Sequence, residues 1–357
     1  MNRSVLSRGV LVGVALAALT VAGCGSDTPE PTPNGSAPAT NEFASLSGEL
    51  KASGASFPNN YYQAAIDAFE AVAPDLVVTY ESVGSGTGKK DFGAGLNDFA
   101  GTDSTVKDGD GPAAGSFYYI PTVAAPITVS YNISGVSELK LSPDTLGKIF
   151  QGTITDWSDA AITADNGTAL ASKKITVVHR SDGSGTTNNF TKYLVAAAPS
   201  WTLKSGDTVE WPATTVGAER NGGVAQSISQ TDGAIGYVDF ADATAANLKF
   251  AAIKNKDGNF VPASLDGATA ALAGATLKDD LTYDPLNAPG AESYPITAPT
   301  YLLVKPTYDD AETAKNVKGF IKWLLTDGTT VAAEVGYAPL PTAIQEKALA
   351  KLATVTP

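Results

Sequence analysis

From about Leu46 onward, short apolar runs alternate with longer segments in which apolar residues recur at helical spacing. Runs rich in Val, Ile and Tyr predict buried strands, and the helical spacing predicts helices with one buried face. The predicted strands are 76–80, 124–131 and 175–178, and the predicted helices are 61–71, 188–197 and 314–325. This alternation of strands and helices predicts an α/β fold.

The N-terminus has the pattern of an export signal. A short basic segment precedes an apolar stretch, 10–22, that is too short to span a bilayer. The stretch leads into Val21-Ala22-Gly23-Cys24, which resembles a bacterial lipobox and contains the only cysteine of the chain. We therefore predict a lipoprotein signal peptide over 1–23 and an extracytoplasmic protein, anchored to the cell membrane by acyl chains such as palmitate on Cys24. An ordinary secretory signal with an incidental cysteine is the alternative. The Ser-, Thr- and Pro-rich segment 24–45 predicts a flexible tether.

Charge and composition exclude several classes of function. Acidic residues outnumber basic ones by 37 to 24, which disfavours a nucleic-acid partner. With one cysteine and one histidine, the chain can form neither an internal disulfide nor a Cys/His zinc site. We predict no metal and no other cofactor. A Ser/His/Asp hydrolase would have to use His179.

Three segments place glycine and hydroxyl residues where a predicted helix begins. They are 52–58, 84–88 and 180–186. Free backbone N–H groups and the helix dipole attract anions there, and glycine lets the backbone approach closely. Each segment alone is equally typical of a plain helix cap or tight turn. Three of them, one carrying Arg180, predict an anion site built from neutral dipoles and a cation.

Two further patterns resemble enzyme motifs without matching them. Gly84–Lys89 is similar to a nucleotide P-loop but lacks its first glycine. Gly183-Ser184-Gly185 is similar to a nucleophile elbow but lacks the outer glycines. His179 is predicted to be a neutral residue at a strand end beside the site. We therefore predict no catalytic residue and no enzymatic activity.

Three motifs together resemble the phosphate-binding proteins of phosphate ABC importers. They are Gly54-Ala55-Ser56-Phe57-Pro58, Asp98-Phe99-Ala100-Gly101-Thr102-Asp103 and Arg180-Ser181-Asp182-Gly183-Ser184-Gly185-Thr186. The resemblance runs from about residue 47 almost to the C-terminus. It implies a periplasmic-binding-protein-like fold of type II, with two α/β domains joined by two crossover strands and a ligand cleft between them. The implied domains are 46–123 plus 296–357, and 124–295, with the alanine-rich stretch 263–291 as loop and peripheral helix of the second.

The resemblance also implies individual site residues. The implied phosphate ligands are Ser56, Phe57 (backbone N–H), Ser85, Asp103, Arg180, Ser184, Gly185 (backbone N–H) and Thr186. Asp182 is expected to hold the Arg180 guanidinium in place. Two departures from the family are Ser56, where threonine is common, and Gly86-Thr87, where Ser-Gly is usual. The implied function is capture of inorganic phosphate and delivery to the membrane permease subunits of an ABC importer, with its ATPase acting indirectly. A monomer is expected.

Three alternatives remain open from the sequence. The ligand could be another oxyanion, such as sulfate, molybdate or tungstate, although Asp103 would then face a fully ionised anion. An extracellular phosphatase or hydrolase is disfavoured by the lone histidine and the lack of metal ligands. The third alternative, an adhesin or signalling sensor on the same fold, is not excluded by the sequence.

Overall fold

A computed structural model describes residues 41–357. The predicted signal peptide, Cys24 and most of the predicted tether lie outside these residues. The strands are β1 Gly48–Gly54, β2 Leu76–Ser82, β3 Phe99–Thr102, β4 Tyr118–Asn132, β5 Lys140–Leu141, β6 Thr176–Arg180, β7 Val216–Ala218, β8 Ala234–Asp239, β9 Lys249–Phe250, β10 Ala252–Lys254, β11 Phe260–Val261, β12 Thr297–Val304 and β13 Ala338–Pro339. The helices are α1 Asn59–Glu70, α2 Ser85–Gly93, α3 Pro143–Phe150, α4 Ala160–Asn166, α5 Gly185–Ala197, α6 Arg220–Gln230, α7 Phe240–Ala245, α8 Leu265–Ala273, α9 Ala311–Leu325, α10 Thr329–Glu334 and α11 Thr342–Ala353. No helix of this described part is long and apolar enough to cross a membrane.

Most of the described strands form two sheets that share β4. In the first sheet, β1 is parallel to β2 and β3, and β12 is antiparallel to β3 and β4. In the second sheet, β6 is parallel to β7 and β8, and β8 is antiparallel to β4. Strands β5, β10 and β11 form a separate small sheet. Helices pack against both main sheets, which gives two α/β halves.

The strand β4 joins the halves because it changes partner along its length. Its residues up to Pro126 pair with β12, and its residues from Ile127 onward pair with β8. The chain enters β12 at Thr297, directly opposite Pro126. The Ile127 N–H also donates to the carbonyl of Ile296, 2.8 Å away, so the two crossings lie side by side. The predicted α/β fold with two halves joined by crossing strands is confirmed.

The predicted helices form because each has an apolar face that a sheet and a second helix bury. Helix α1 buries Phe69, whose ring lies 5.2 Å from the rings of both Phe320 and Trp323 on α9. In the second half, the ring of Phe190 on α5 stacks on Tyr237 of β8 at 4.5 Å. These contacts hold the starts of α1 and α5 at the edges of their sheets.

Two segments differ from the sequence-based expectation. The predicted tether extends to residue 45, but the Asn41 amide donates to the Val72 carbonyl at 2.7 Å, and Phe43 is buried against Phe69. The stretch 263–291 was assigned to the second domain, but its helix α8 packs on strands of the first sheet, where Leu272 joins a buried cluster with Tyr301. The first segment contains few apolar residues, and the second is rich in alanine, whose small side chain gives a weak helical signal.

Candidate functional site

The three predicted anion-binding loops lie at the carboxyl ends of parallel strands. The first joins β1 to α1, the second joins β2 to α2, and the third joins β6 to α5. Carboxyl ends of parallel strands share one edge of a sheet, and ligands bind at such edges in α/β folds. The starts of α1 and α2 in the first half and of α5 in the second half therefore meet between the two sheets.

The halves touch directly where the second and third loops meet. The Ser85 Oγ accepts hydrogen bonds from the Gly185 N–H at 3.1 Å and from the Asp103 N–H at 3.3 Å. A side chain at Gly185 would not fit, because its Cβ would lie 2.6 Å from Ser85 Oγ and 2.7 Å from Asp103 Cβ. The absence of a side chain at Gly185 keeps three predicted ligand residues from both halves within reach of one small anion.

The buried Arg180 forms an ion pair with the partly exposed Asp182 beside this contact. The Arg180 Nε donates to Asp182 Oδ1 at 2.7 Å, and its Nη2 donates to Oδ2. Burial raises the pKa of Asp182, but the hydrogen bond and charge of Arg180 outweigh burial and hold that pKa below its usual value. Gly84 has φ +88°, and a Cβ there would lie 2.5 Å from Asp182 Oδ2, so glycine is required. Two N–H groups of the Arg180 guanidinium donate to Asp182, and the other N–H groups of Arg180 remain available to an anion.

Asp103 is a buried carboxylate with a raised pKa. It is only 2% exposed, and Thr300 Oγ1 donates to its Oδ1 at 2.8 Å. Burial raises the pKa of Asp103 to about 7, although the Thr300 hydrogen bond and the Arg180 charge lower it. Asp103 is therefore poised to exchange a proton near neutral pH. In its ionised form it accepts hydrogen bonds only.

The remaining predicted ligand residues are also buried at helix starts. Ser184 caps α5, because its Oγ accepts a hydrogen bond from the Thr187 N–H at 3.1 Å. The carbonyl of Phe57 accepts from Tyr337 Oη at 2.6 Å. The fully buried Thr186 and the nearly buried Ser56 are each linked to another side chain, described next. The structure thus brings all eight predicted residues to the meeting edge of the sheets.

Asn221 is a site residue that the sequence analysis missed. It is fully buried near the start of α6, and its Nδ2 donates to Ser56 Oγ and to Thr186 Oγ1, both at 3.2 Å. Its backbone N–H also donates to Ser56 Oγ at 3.3 Å. The Asn-Gly-Gly sequence following β7 was the available signal, since it places an amide and two glycines at a helix start.

Lys89 and Tyr237 support the site from other parts of the chain. Lys89 Nζ lies 2.8 Å from Asp207 Oδ2 and 2.5 Å from Asp110 Oδ2, so it links α2 to the segment after α5. The hydroxyl of Tyr237 accepts the Arg180 N–H at 3.0 Å. No local sequence pattern marks these residues, and Lys89 was considered only as a P-loop lysine.

The enzyme-like patterns have structural roles in the described chain. The His179 ring stacks on Trp211 with centroids 5.0 Å apart, and Nδ1 lies 2.9 Å from the Arg180 carbonyl oxygen. Burial lowers the pKa of His179. The Ser184 Oγ is bound to the start of α5 and has no hydrogen bond to His179. Within residues 41–357, no group of three His, Cys, Asp or Glu side chains is placed to hold a metal ion.

A cavity of about 340 Å³ opens beside Ser56. It is lined by Asn59, Glu219 and the exposed Arg220, among others. The backbone N–H of Arg220 donates to Asp182 Oδ1 at 3.2 Å, so the Arg220 backbone contacts the Arg180–Asp182 ion pair. Arg220 can therefore serve as a control for Arg180, because both are arginines near the same cleft but Arg220 is exposed to solvent.

The fold and the buried anion-binding edge define the class of the protein. Residues 34–328 match the family model described as a PBP superfamily domain. A solved phosphate-binding protein from Stenotrophomonas maltophilia has a TM-score of 0.68 at 22% identity, covering 85% of this chain and 94% of that one. This likeness supports the same fold.

Two relatives in sequence narrow the class. The phosphate-binding protein PstS 3 of Mycobacterium leprae is 33% identical and covers 95% of this chain and 96% of its own. The phosphate-binding protein PstS of Methanocaldococcus jannaschii is 35% identical and covers 78% of this chain and 79% of its own. The chain belongs to the PBP superfamily and, within it, to the family of PstS phosphate-binding proteins.

Proposed function

We propose that the protein is an extracytoplasmic binding protein that captures inorganic phosphate between its two halves and delivers it to an ABC-type importer. The observation that carries this proposal is the buried Arg180, held by Asp182 at a place where helix starts from both halves converge. A small oxyanion there would receive a charge-assisted bond from Arg180 together with hydroxyl and backbone donors. The names of the relatives support the same ligand.

The proposed phosphate contacts come from both sides of the cleft. Arg180 contributes positive charge, and Asp182 holds its guanidinium in position. The donors are the hydroxyls of Ser56, Ser85, Ser184 and Thr186 and the backbone N–H groups of Phe57 and Gly185. The carboxylate of Asp103 accepts a hydrogen bond from the P–OH group that phosphate still carries near neutral pH. Binding therefore requires both halves, and closing the cleft removes the anion from water.

Asp103 favours phosphate over sulfate. Both anions are tetrahedral and similar in size, but sulfate has no proton near neutral pH. An ionised Asp103 facing sulfate would place two sets of lone pairs against each other in a dry cleft, with no compensation for the lost water. The same argument disfavours molybdate and tungstate.

A binding role fits the site better than hydrolysis. The candidate nucleophile Ser184 caps α5, and the ring of His179 lies against Trp211. We propose a non-enzymatic, monomeric protein that transfers phosphate to membrane permease subunits.

Calorimetric titration of the purified protein with phosphate, sulfate and arsenate tests the function. We expect phosphate to bind and to raise the melting temperature, since a ligand at about 100 times its dissociation constant adds about 2.7 kcal/mol of stability. We expect sulfate to bind more weakly than phosphate, and more weakly still as the pH rises above about 7, because an ionised Asp103 then faces an anion without a proton. Arsenate, which also keeps a proton, should bind more like phosphate. A folded protein that binds sulfate as tightly as phosphate would contradict the proposal.

We also propose that acyl chains on Cys24 anchor the protein outside the cytoplasm. This residue lies outside the described part, and the proposal is supported by the lipobox-like sequence and the lone cysteine. Changing Cys24→Ser should abolish acylation and cleavage before this position, because the thioether cannot form. Metabolic labelling with a radioactive fatty acid measures this, with the parent chain as the control. Label retained on the variant would disprove the anchor site.

A further inference from the structure

Asn221 is placed between two proposed phosphate ligands from opposite halves. Ser56 follows β1 of the first sheet, and Thr186 lies in the first turn of α5 beside the second sheet. The Asn221 Nδ2 is 3.2 Å from both hydroxyl oxygens, and the whole side chain is buried. Its Oδ1 has no hydrogen-bond partner among the described residues.

The hydrogen bonds of Asn221 determine the direction of the Ser56 hydroxyl. A hydroxyl has one O–H donor and two acceptor lone pairs. Ser56 Oγ accepts from both the backbone N–H and the Nδ2 of Asn221, so both of its lone pairs are occupied. Only its O–H remains, and this can point toward an anion. Thr186 Oγ1 likewise accepts from Nδ2, which favours donation of its own proton elsewhere.

We propose that Asn221 is a positioning residue of the anion site, resting on the proposed function above. It orients the hydroxyls of Ser56 and Thr186 as donors toward the oxyanion. Because these hydroxyls belong to opposite halves, the amide also couples their approach to each other. With Asn221 in place, both hydroxyls act as hydrogen-bond donors to the ligand. This arrangement suits an oxyanion, because all of its oxygen atoms can accept hydrogen bonds.

Phosphate titrations of three proteins test the role. Asn221→Ala should lower the affinity about tenfold, the scale of one misdirected hydrogen bond to a charged group. Asn221→Asp should lower the phosphate affinity about a hundredfold or more. The new carboxylate would accept hydrogen bonds from the two hydroxyls, which turns them away from the anion, and it would also repel the anion. The Arg180–Asp182 pair and Asp103 are common to both variants, so the ratio of their affinities isolates position 221.

Two comparisons separate positioning from folding. Asn316 is also buried with an unpaired Oδ1, but its amide donates to the Ser47 carbonyl, outside the proposed ligand set. Asn316→Ala should lower the melting temperature and leave phosphate affinity unchanged. In a Ser56→Ala background, Asn221→Ala should cost less affinity than in the parent, because one of its targets is gone. This double-variant measurement still tests the positioning role if the Asn221→Asp variant folds poorly.

The outcomes distinguish this proposal from the proposed function. If the parent protein does not bind phosphate, the proposed function fails. If the parent binds but Asn221→Ala binds equally well, only the positioning role is overturned. Affinity of Asn221→Asp equal to that of the parent would mean that the hydroxyls donate to position 221, which also overturns it. An equal cost of Asn221→Ala with and without Ser56 would show that the amide does not act through that hydroxyl.

Discussion

Replacing Arg180 with alanine should weaken phosphate binding by roughly a hundredfold or more. Hydrogen bonds to charged groups contribute about 1.5–3 kcal/mol each, and we expect the guanidinium to donate two of them to the anion. The change also leaves the Asp182 carboxylate without its cation inside the cleft, where it would repel the ligand. Calorimetric titration with phosphate measures the loss.

Two further variants identify the cause of this loss. Arg220→Ala removes a neighbouring but exposed cation, and we expect less than about a threefold change because water and salt screen it. In the double variant Arg180→Ala with Asp182→Ala, part of the affinity should return, since the unpaired carboxylate is gone. If Arg180→Ala and Arg220→Ala lose affinity equally, the effect is long-range charge and the site lies elsewhere.

Replacing Asp103 with asparagine should increase the affinity for sulfate and make that affinity independent of pH. Burial raises the pKa of Asp103 to about 7. Only the protonated side chain can donate to sulfate, so apparent sulfate affinity depends on the protonated fraction. That fraction falls from about nine-tenths at pH 6 to about one-tenth at pH 8, which predicts about a tenfold loss of sulfate affinity in the parent. The amide of the variant donates at every pH, so its sulfate affinity should stay level. Competition titrations with phosphate and sulfate measure both effects.

The hydrogen bond from Thr300 to Asp103 allows a second test of Asp103 as the group that discriminates between phosphate and sulfate. The Thr300 hydroxyl lowers the pKa of this carboxyl by donating to it. Thr300→Val should therefore raise that pKa and move the midpoint of the sulfate profile to higher pH. Asp239→Asn is the matched control, because Asp239 is another fully buried carboxyl with a raised pKa and is not a proposed ligand. A parent profile that is flat between about pH 6 and pH 8 would rule out Asp103 as the discriminating group.

Lys89 illustrates how a local pattern differs from its tertiary role. The sequence around Gly84–Lys89 resembles a phosphate loop, in which a lysine would contact the ligand. In the structure, Lys89 lies between Asp110 and Asp207, and it joins the two halves instead. Its partners lie 21 and 118 residues away, so no spacing rule could identify them.

Features that depend on neighbouring residues were predictable from the sequence alone. Apolar spacing predicted the helices α1, α5 and α9, because one face of each helix must be buried. The positions of the three glycine- and hydroxyl-rich loops were predictable for the same reason, since each loop is contiguous with the helix start that follows it. The resemblance of the arginine loop, 180–186, to the phosphate-binding family then supplied the ligand class, which the relatives support.

The residues that complete the proposed site are apparent only from contacts between distant parts of the chain. Asn221 meets Ser56 across 165 residues of chain, and Thr300 meets Asp103 across 197. The raised pKa of Asp103 likewise arises from its burial between the halves, not from its sequence neighbours. The packing of α8 on the first sheet was hidden because alanine-rich helices carry a weak apolar signal. These properties come from the way β4 and β12 bring distant strand ends to one edge, which no local pattern of residues specifies.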